Sequence, residues 1–184
     1  MRTPDDIHDE LLVLRCQDGN TAALSELVAK WQPRILRHAM RLTANRDAAA
    51  DVSQAAWLAI IRGIDRLNDP ACFRRWAYRI VAFKSADWIR NRQQDRTFAG
   101  PIATEPSDYR TTGTAHGDED DIAAIRLAMM RLTPDQKSIL SMFYLEDMPL
   151  AEIAEAMSLP LGTIKSRLHY ARQALKDTLT RSNP

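Results

Sequence analysis

The sequence predicts an all-α protein built from two small helical domains joined by a flexible linker. Apolar residues recur at helical spacing along most of the 184 residues, and no run alternates between apolar and polar as a strand would. Glycine occurs only six times. The stretch from about residue 95 to 117 holds Gly-Pro, Thr-Thr-Gly and few large apolar residues. We therefore expect domains over residues 1–95 and 122–184, with a linker over 96–121.

The composition suits a soluble globular protein, with 45% hydrophobic and 27% charged residues. The formal net charge is only +1, so any nucleic-acid binding has to rest on local charge. Cys16 and Cys72 are far apart, which argues against a disulfide framework and against a structural zinc site. The N-terminus is acidic, and no apolar run approaches the ~20 residues that span a bilayer. We expect a cytoplasmic protein without membrane insertion.

Four helices are predicted before the linker. Their bounds are Asp5–Asp18, Thr21–Leu42, Asp47–Ile64 and Ala71 to about Gln94. Pro33 lies inside the second helix and should kink or split it, because proline removes a backbone donor. Asn68-Asp69-Pro70 is a start signal for the fourth helix.

Four more helices are predicted after the linker. Their bounds are Ile122–Arg131, Pro134–Leu145, Leu150–Met157 and Leu161 to about Thr180. Thr133 and Gln136 have the spacing of a capping box around Pro134. A short helix, a tight turn ending at Gly162 and a longer helix form the helix-turn-helix arrangement, which indicates binding to double-stranded DNA.

The last of these helices has an outward face suited to duplex DNA. At about 100° per residue, small and hydrogen-bonding residues point away from the apolar stripe, with cations beside them. Such residues can reach base edges while the cations neutralise phosphates. An ordinary solvated surface is the alternative. The candidate DNA contacts are Gly162, Thr163, Lys165, Ser166, Arg167, His169, Tyr170 and Arg172.

The segment Leu161-Gly162-Thr163-Ile164-Lys165-Ser166-Arg167-Leu168 resembles the Gly-Thr-Val-Lys-Ser-Arg-Leu signature of bacterial sigma factors. The group it is most similar to is the extracytoplasmic-function (ECF) group of the sigma-70 family. Response regulators share part of this signature, but they would carry an α/β receiver domain in front. Here residues 47–54 resemble the family's Asp-Ala-Glu-Asp-Leu-Val-Gln-Glu segment, and residues 73–80 its Phe-x-x-Trp-Leu-Tyr-Arg-Ile segment. The resemblance implies a region 2-like domain followed by a region 4-like domain that recognises minus-35 DNA.

Arginines and aromatic residues alternate along the fourth helix, which is the chemistry of single-strand capture. The resemblance implies that this helix holds the melted minus-10 promoter strand. For Trp76 and Trp88, a place in the core is the alternative. The minus-10 candidates are Arg75, Trp76, Tyr78, Arg79, Phe83 and Lys84.

The resemblance assigns Asp47, Asp51 and Gln54 to contact with a coiled coil on the β′ subunit of RNA polymerase. Ala50 and Ala55 stand where the family usually carries glutamates, which predicts weak intrinsic affinity for polymerase.

Phosphorylation of Ser53 would restore negative charge to this surface, and this hypothesis adds a protein kinase to the partners. Phe83 and Tyr170 replace the family's common asparagine and arginine, so base preference at both DNA sites stays open.

These patterns predict a transcription initiation factor that directs core RNA polymerase to promoters, without a cofactor or a metal. Small factors of this family are commonly inhibited by an anti-sigma protein, and we expect a monomer when free. An enzyme is not expected, because His8, His38, His116 and His169 are scattered without nucleophile–base spacing or a phosphate loop. Two alternatives stay open: a helix-turn-helix regulator without a sigma role, and an interaction module that sequesters a regulator.

Overall fold

The computed structural model describes residues 3–99, 125, 128, 129 and 131–182, with side chains described as far as residues 92 and 177 in the two long ranges. The predicted all-α class is confirmed, since every regular element in these ranges is a helix. The chain divides into two compact units, Met1–Pro101 and Ile102–Pro184. The boundary between the units falls inside the predicted linker, most of which lies outside the described residues.

Four helices form the N-terminal unit. They are α1 (Pro4–Gln17), α2 (Thr21–Thr43), α3 (Arg46–Gly63) and α4 (Phe73–Ala99), with two 3₁₀ turns, Ile64–Arg66 and Pro70–Cys72, between α3 and α4. Polar side chains begin the helices as the sequence suggests, because each accepts a bond from an otherwise unpaired backbone N–H. The side chain of Asp69 accepts from the backbone N–H of Ala71, so the predicted start signal caps the 3₁₀ turn Pro70–Cys72, and α4 follows it from Phe73, two residues later than predicted.

The two largest differences from the predicted helices concern α2 and α4. Helix α2 is not split at Pro33 but runs through it. Trp31 and Ile35, on either side of the proline, are both buried, and this burial holds the helix together despite the missing backbone donor. Helix α4 continues to Ala99, beyond the expected end near Gln94 and into the stretch assigned to the linker.

An aromatic cluster forms the centre of the N-terminal core, where α2 meets α4. The ring of Trp31 lies 5.1 Å from that of Phe73 and 5.9 Å from that of Tyr78, both edge to face. The ring of His38 lies 4.9 Å from that of Tyr78. Because this cluster fixes the inner side of α4, the arginine-rich side of the helix faces outward.

Gln17 ties α1 to the turn that follows α3. Its side-chain Nε2 donates to the carbonyl oxygens of Ile64 and Leu67, both at 2.9 Å. Replacing Gln17 with alanine leaves two half-buried carbonyls without this donor, so we expect the N-terminal unit to lose roughly 1–2 kcal/mol of unfolding free energy. Urea denaturation measures this loss, and Gln54→Ala, at an exposed position of α3, is the matched control. Equal stability of the two variants would contradict the prediction.

The C-terminal unit contains α5 (Pro134–Tyr144), α6 (Leu150–Met157) and α7 (Leu161–Ser182). The capping box at the start of α5 is confirmed: Thr133 Oγ1 accepts from the N–H of Gln136, and Gln136 Oε1 accepts from the N–H of Thr133. Of the helix predicted over residues 122–131, residues 125, 128 and 129 are helical, and most of the others lie outside the described residues.

The turn between α6 and α7 is tight because Ser158 closes α6 in the left-handed conformation, at φ 53°. Ile153 of α6 and Ile164 of α7 are completely buried, so the two helices share a core. This arrangement confirms the predicted helix-turn-helix. None of the helices in the described part of the chain combines the length and apolar character needed to cross a membrane.

Candidate nucleic-acid interface

Helix α7 presents a polar face opposite its buried stripe of Ile164, Leu168 and Ala171. On this face Thr163 is half-buried, and its carbonyl accepts a bond from the Ser166 hydroxyl at 3.0 Å. Tyr170 has 65% of its surface exposed. Of the predicted duplex contacts, the exposed ones are Gly162, Lys165, Ser166, His169, Tyr170 and Arg172.

Two arginines of the predicted duplex-binding set are engaged within the C-terminal unit. Arg167 forms an ion pair with Asp135 of α5. The guanidinium of Arg172 lies 5.4 Å from the ring centre of Phe143 and 5.3 Å from that of Tyr144. Both contacts join α7 to α5. A guanidinium has five N–H donors, so either arginine can keep its contact within the unit and still donate to a phosphate.

The outward side of α4 carries an exposed aromatic ring among cations. Phe83 is 54% exposed, and the guanidinium of Arg79 lies over its ring at 5.6 Å. Arg75 donates to the sulfur of Cys72 at the start of the helix. Lys84 is half-buried. This side of the helix offers both positive charge and an aromatic surface.

Trp76 is half-buried and packs at the end of α3. Its ring lies 6.2 Å from that of Phe73, and a Cβ atom added at Gly63 would come within 3.0 Å of Trp76 Cζ2. Glycine at position 63 therefore allows the indole to lie close to the α3 backbone. Much of the Trp76 ring therefore packs between α3 and α4.

Tyr78 is wrongly predicted as a contact to the melted strand. It is 1% exposed and packs against Trp31 and His38 in the aromatic cluster. The sequence contains the signal for this position, because Tyr78 shares the inner helical stripe with Phe73, Ala77 and Val81, all of which are buried.

The outward face of α3 carries all three residues predicted to contact polymerase. Asp47, Asp51 and Gln54 are exposed and lie at i, i+4 and i+7. Two apolar residues that the sequence reasoning missed continue along this helix: Leu58 is 49% exposed and Ile61 is 42% exposed. Their spacing from Gln54 is the signal that could have identified them. The face therefore combines carboxylates with apolar surface.

Ser53 contradicts the phosphorylation hypothesis. It is 1% exposed, and its hydroxyl donates to Gln32 Oε1 at 3.3 Å. The indole N–H of Trp57 donates to the same oxygen. A phosphate here would bury a charge of nearly two units in a packed α2–α3 contact, which the folded domain does not accommodate. Ser53 faces the core with Val52 and Ala56, not the surface with Asp51.

The remaining titratable groups form no metal-binding cluster in the described ranges. No three His, Cys, Asp or Glu side chains in these ranges are grouped as a metal site would require. His8 pairs with Glu26 at 3.1 Å on the surface, His38 is buried, and His169 is exposed. His116 lies outside the described residues.

Comparisons with known proteins match both units. The family model for Sigma-70 region 2 matches residues 27–95, and the model for Sigma-70, region 4 matches residues 122–175. The ECF RNA polymerase sigma factor SigW of Bacillus subtilis is 26% identical over 176 residues, covering 91% of this chain and 94% of that protein. The RNA polymerase sigma-H factor of Pseudomonas aeruginosa is 27% identical, covering 93% of each chain.

A similar fold occurs in solved structures. The structure of CnrH in complex with the cytosolic domain of CnrY matches with a TM-score of 0.70 at 20% identity, covering 95% of this chain and 98% of that one. A second match is the sigma factor RpoE in complex with the anti-sigma factor NepR from Bartonella quintana, with a TM-score of 0.73 at 18% identity, covering 85% of this chain and 96% of that one. At these identities the likeness shows the fold.

Proposed function

Because the chain belongs to the sigma-70 family, with region 2 and region 4 matched in order, we infer that it is an ECF RNA polymerase sigma factor. It binds core RNA polymerase and promoter DNA, and it directs initiation of transcription. The proposed role involves no covalent chemistry, so the side chains act through binding alone.

The single observation that supports this role best is the pair of different nucleic-acid surfaces. Helix α7 offers an exposed set of hydrogen-bonding residues with Lys165, which suits the base edges and phosphates of duplex minus-35 DNA. Helix α4 offers the exposed ring of Phe83 beside Arg79, which suits unpaired minus-10 DNA. One surface of each kind is what recognition and melting of a promoter require.

Run-off transcription with core polymerase tests this function directly. The promoters for this assay are found first. Core polymerase is mixed with the chain and fragmented genomic DNA, the complex is pulled down through the chain, and the bound fragments are sequenced. We expect transcripts that start at defined positions and depend on the chain. A helix-turn-helix regulator would instead bind duplex DNA stably without polymerase, and that result would overturn the sigma role.

An anti-sigma protein is the regulatory partner that we propose. One of the solved structures described above shows the sigma factor RpoE in complex with the anti-sigma factor NepR, and the other shows CnrH in complex with the cytosolic domain of CnrY. Co-purification of a protein that blocks both polymerase binding and transcription would support this regulation.

The face of α3 gives a quantitative prediction for polymerase binding. Ala50 is exposed beside Asp47 and Asp51, so glutamate fits there without burying charge. If this face meets a basic partner, Ala50→Glu should raise affinity for core polymerase by roughly two- to fivefold, the value of one exposed ion pair. Competition binding against a labelled sigma factor measures the change.

The matched control is Ala22→Glu, an exposed alanine of α2 that receives the same charge. It should leave polymerase affinity unchanged. Equal affinity of the Ala50→Glu and Ala22→Glu variants would show that the carboxylates of α3 do not face a basic partner.

A further inference from the structure

Helix α1 carries a second apolar stripe that stays largely exposed in the described part of the chain. Ile7, Leu11 and Leu14 recur at i, i+4 and i+7, and they are 56%, 53% and 48% exposed. The side chains that the same helix buries lie on its opposite side, and they are Asp9, Leu12, Val13 and Cys16. The polymerase and promoter contacts proposed above lie on α3, α4 and α7, so they leave this stripe unused.

The spacing of the stripe is that of the seam in a two-stranded coiled coil, where apolar residues alternate at steps of four and three. Asp18, which caps the end of α1, takes the next position and limits the seam to about two helical turns. An exposed seam of this kind fits another helix with the same spacing, because each apolar side chain then inserts among those of the partner.

The charges beside the seam indicate which helix that partner is. Glu10 lies on one flank of the seam and Arg15 on the other, five positions later. In a parallel pair, residues at this separation face each other across the seam, so Glu10 of each copy of α1 faces Arg15 of the other. In an antiparallel pair each flank meets itself, and Glu10 would face a second glutamate. The helix is therefore complementary to a parallel copy of itself.

The rest of the N-terminal unit does not stand in the way of such a pair. The side chains that α1 buries point into the core of its own unit, and the seam points away from that core. Two copies joined at the seam therefore lie on opposite sides of the paired helices.

We propose that two copies of the chain associate in parallel through Ile7, Leu11 and Leu14 of α1. Three side chains per copy bury far less than the roughly 1,200 Å² at which standard protein interfaces begin, so the contact is weak and reversible. The chain is therefore the expected monomer when dilute, and it forms pairs with a dissociation constant on the order of 100 μM. The inference goes beyond the proposed function and does not depend on it.

Sedimentation equilibrium of the full chain tests the pairing without polymerase or DNA. Over concentrations from roughly 10 μM to about 1 mM, the average mass should rise from that of one chain toward that of two. Leu11→Lys should weaken the association by at least about tenfold, because it removes a leucine from both copies and places two ammonium groups in the seam. Leu58→Lys is the matched control, since Leu58 is 49% exposed on α3 of the same unit, and it should associate as the wild type does.

Charge exchange tests the parallel orientation. Glu10→Arg and Arg15→Glu each place like charges across the seam in both contacts of the pair, so each should weaken association by roughly three- to tenfold. The variant that combines both substitutions restores opposite charges and should associate as the wild type does. An antiparallel pair would respond differently, because Glu10→Arg only exchanges one like-charge contact for another.

The proposal is overturned if the wild type stays monomeric over this range, or if Leu11→Lys associates as strongly as Leu58→Lys. A combined charge variant that associates as weakly as either single variant would overturn the parallel contact. The charge variants keep Leu11 in place, so the test does not depend on the folding of Leu11→Lys. Because these assays contain no polymerase, their failure leaves the run-off result standing, and a failed run-off assay does not alter them.

Discussion

Replacing Trp31 with alanine is expected to remove about 3–5 kcal/mol from the unfolding free energy of the N-terminal unit. Trp31 is 1% exposed and lies between the rings of Phe73 and Tyr78. Its removal leaves a cavity where α2 meets α4 and breaks two edge-to-face contacts. Urea denaturation followed by fluorescence measures the loss, because all four tryptophans lie between residues 31 and 88 and three remain in the variant.

A conservative variant separates the cavity from the lost indole N–H. Trp31 Nε1 is buried and has no hydrogen-bond partner among the described residues, so Trp31→Phe also removes an unsatisfied donor. We therefore expect Trp31→Phe to lose only roughly 1–2 kcal/mol. Leu14→Ala, which truncates a side chain 48% exposed on α1, should change the unfolding free energy by less than about 0.5 kcal/mol. A similar loss in all three variants would contradict the central role of Trp31.

The sequence predicted most of the helix starts because local chemistry decides them. A capping side chain bonds to an N–H two or three residues away, so Thr133 and Asp69 could be recognised without knowledge of the fold. The course of α2 through Pro33 depends instead on burial against other helices. Local pattern contains no information about that burial, and of the predicted kink or split at Pro33 the split is therefore wrong.

The site was harder to predict than the fold. Neighbouring residues of a helix point in different directions, so a side chain next to a surface residue can face the core. Ser53 and Tyr78 were interpreted from their sequence neighbours, but both point inward. Arg167 and Arg172 were placed on the correct helix. Their partners, however, are Asp135, Phe143 and Tyr144, which lie far away in sequence. Only the packed structure shows that these two arginines are engaged.

The buried imidazole of His38 should make the N-terminal unit sensitive to acid. His38 is completely buried, and burial together with the nearby positive charge of Arg41 lowers its pKa from 6.5 to about 3. In the unfolded chain the same group binds a proton near its ordinary pKa of 6.5. Between pH 6.5 and about 3 the unfolded state therefore binds more protons than the folded state. The contribution of neutral His38 to the unfolding free energy is therefore fully present above pH 6.5, and it is lost as the pH falls through this window.

The linkage between proton binding and folding sets the size of this effect. Each pH unit below 6.5 costs about 1.4 kcal/mol, so His38 should remove about 2 kcal/mol of unfolding free energy at pH 5. His38→Phe keeps a ring against Tyr78 but cannot take up a proton. Urea denaturation of both proteins between about pH 7.5 and 5 isolates the histidine, because contributions from the carboxylates cancel in the difference. As the pH falls, the unfolding free energy of His38→Phe should rise relative to that of the wild type. A difference that stays constant across this range would show that His38 is not held neutral by the core.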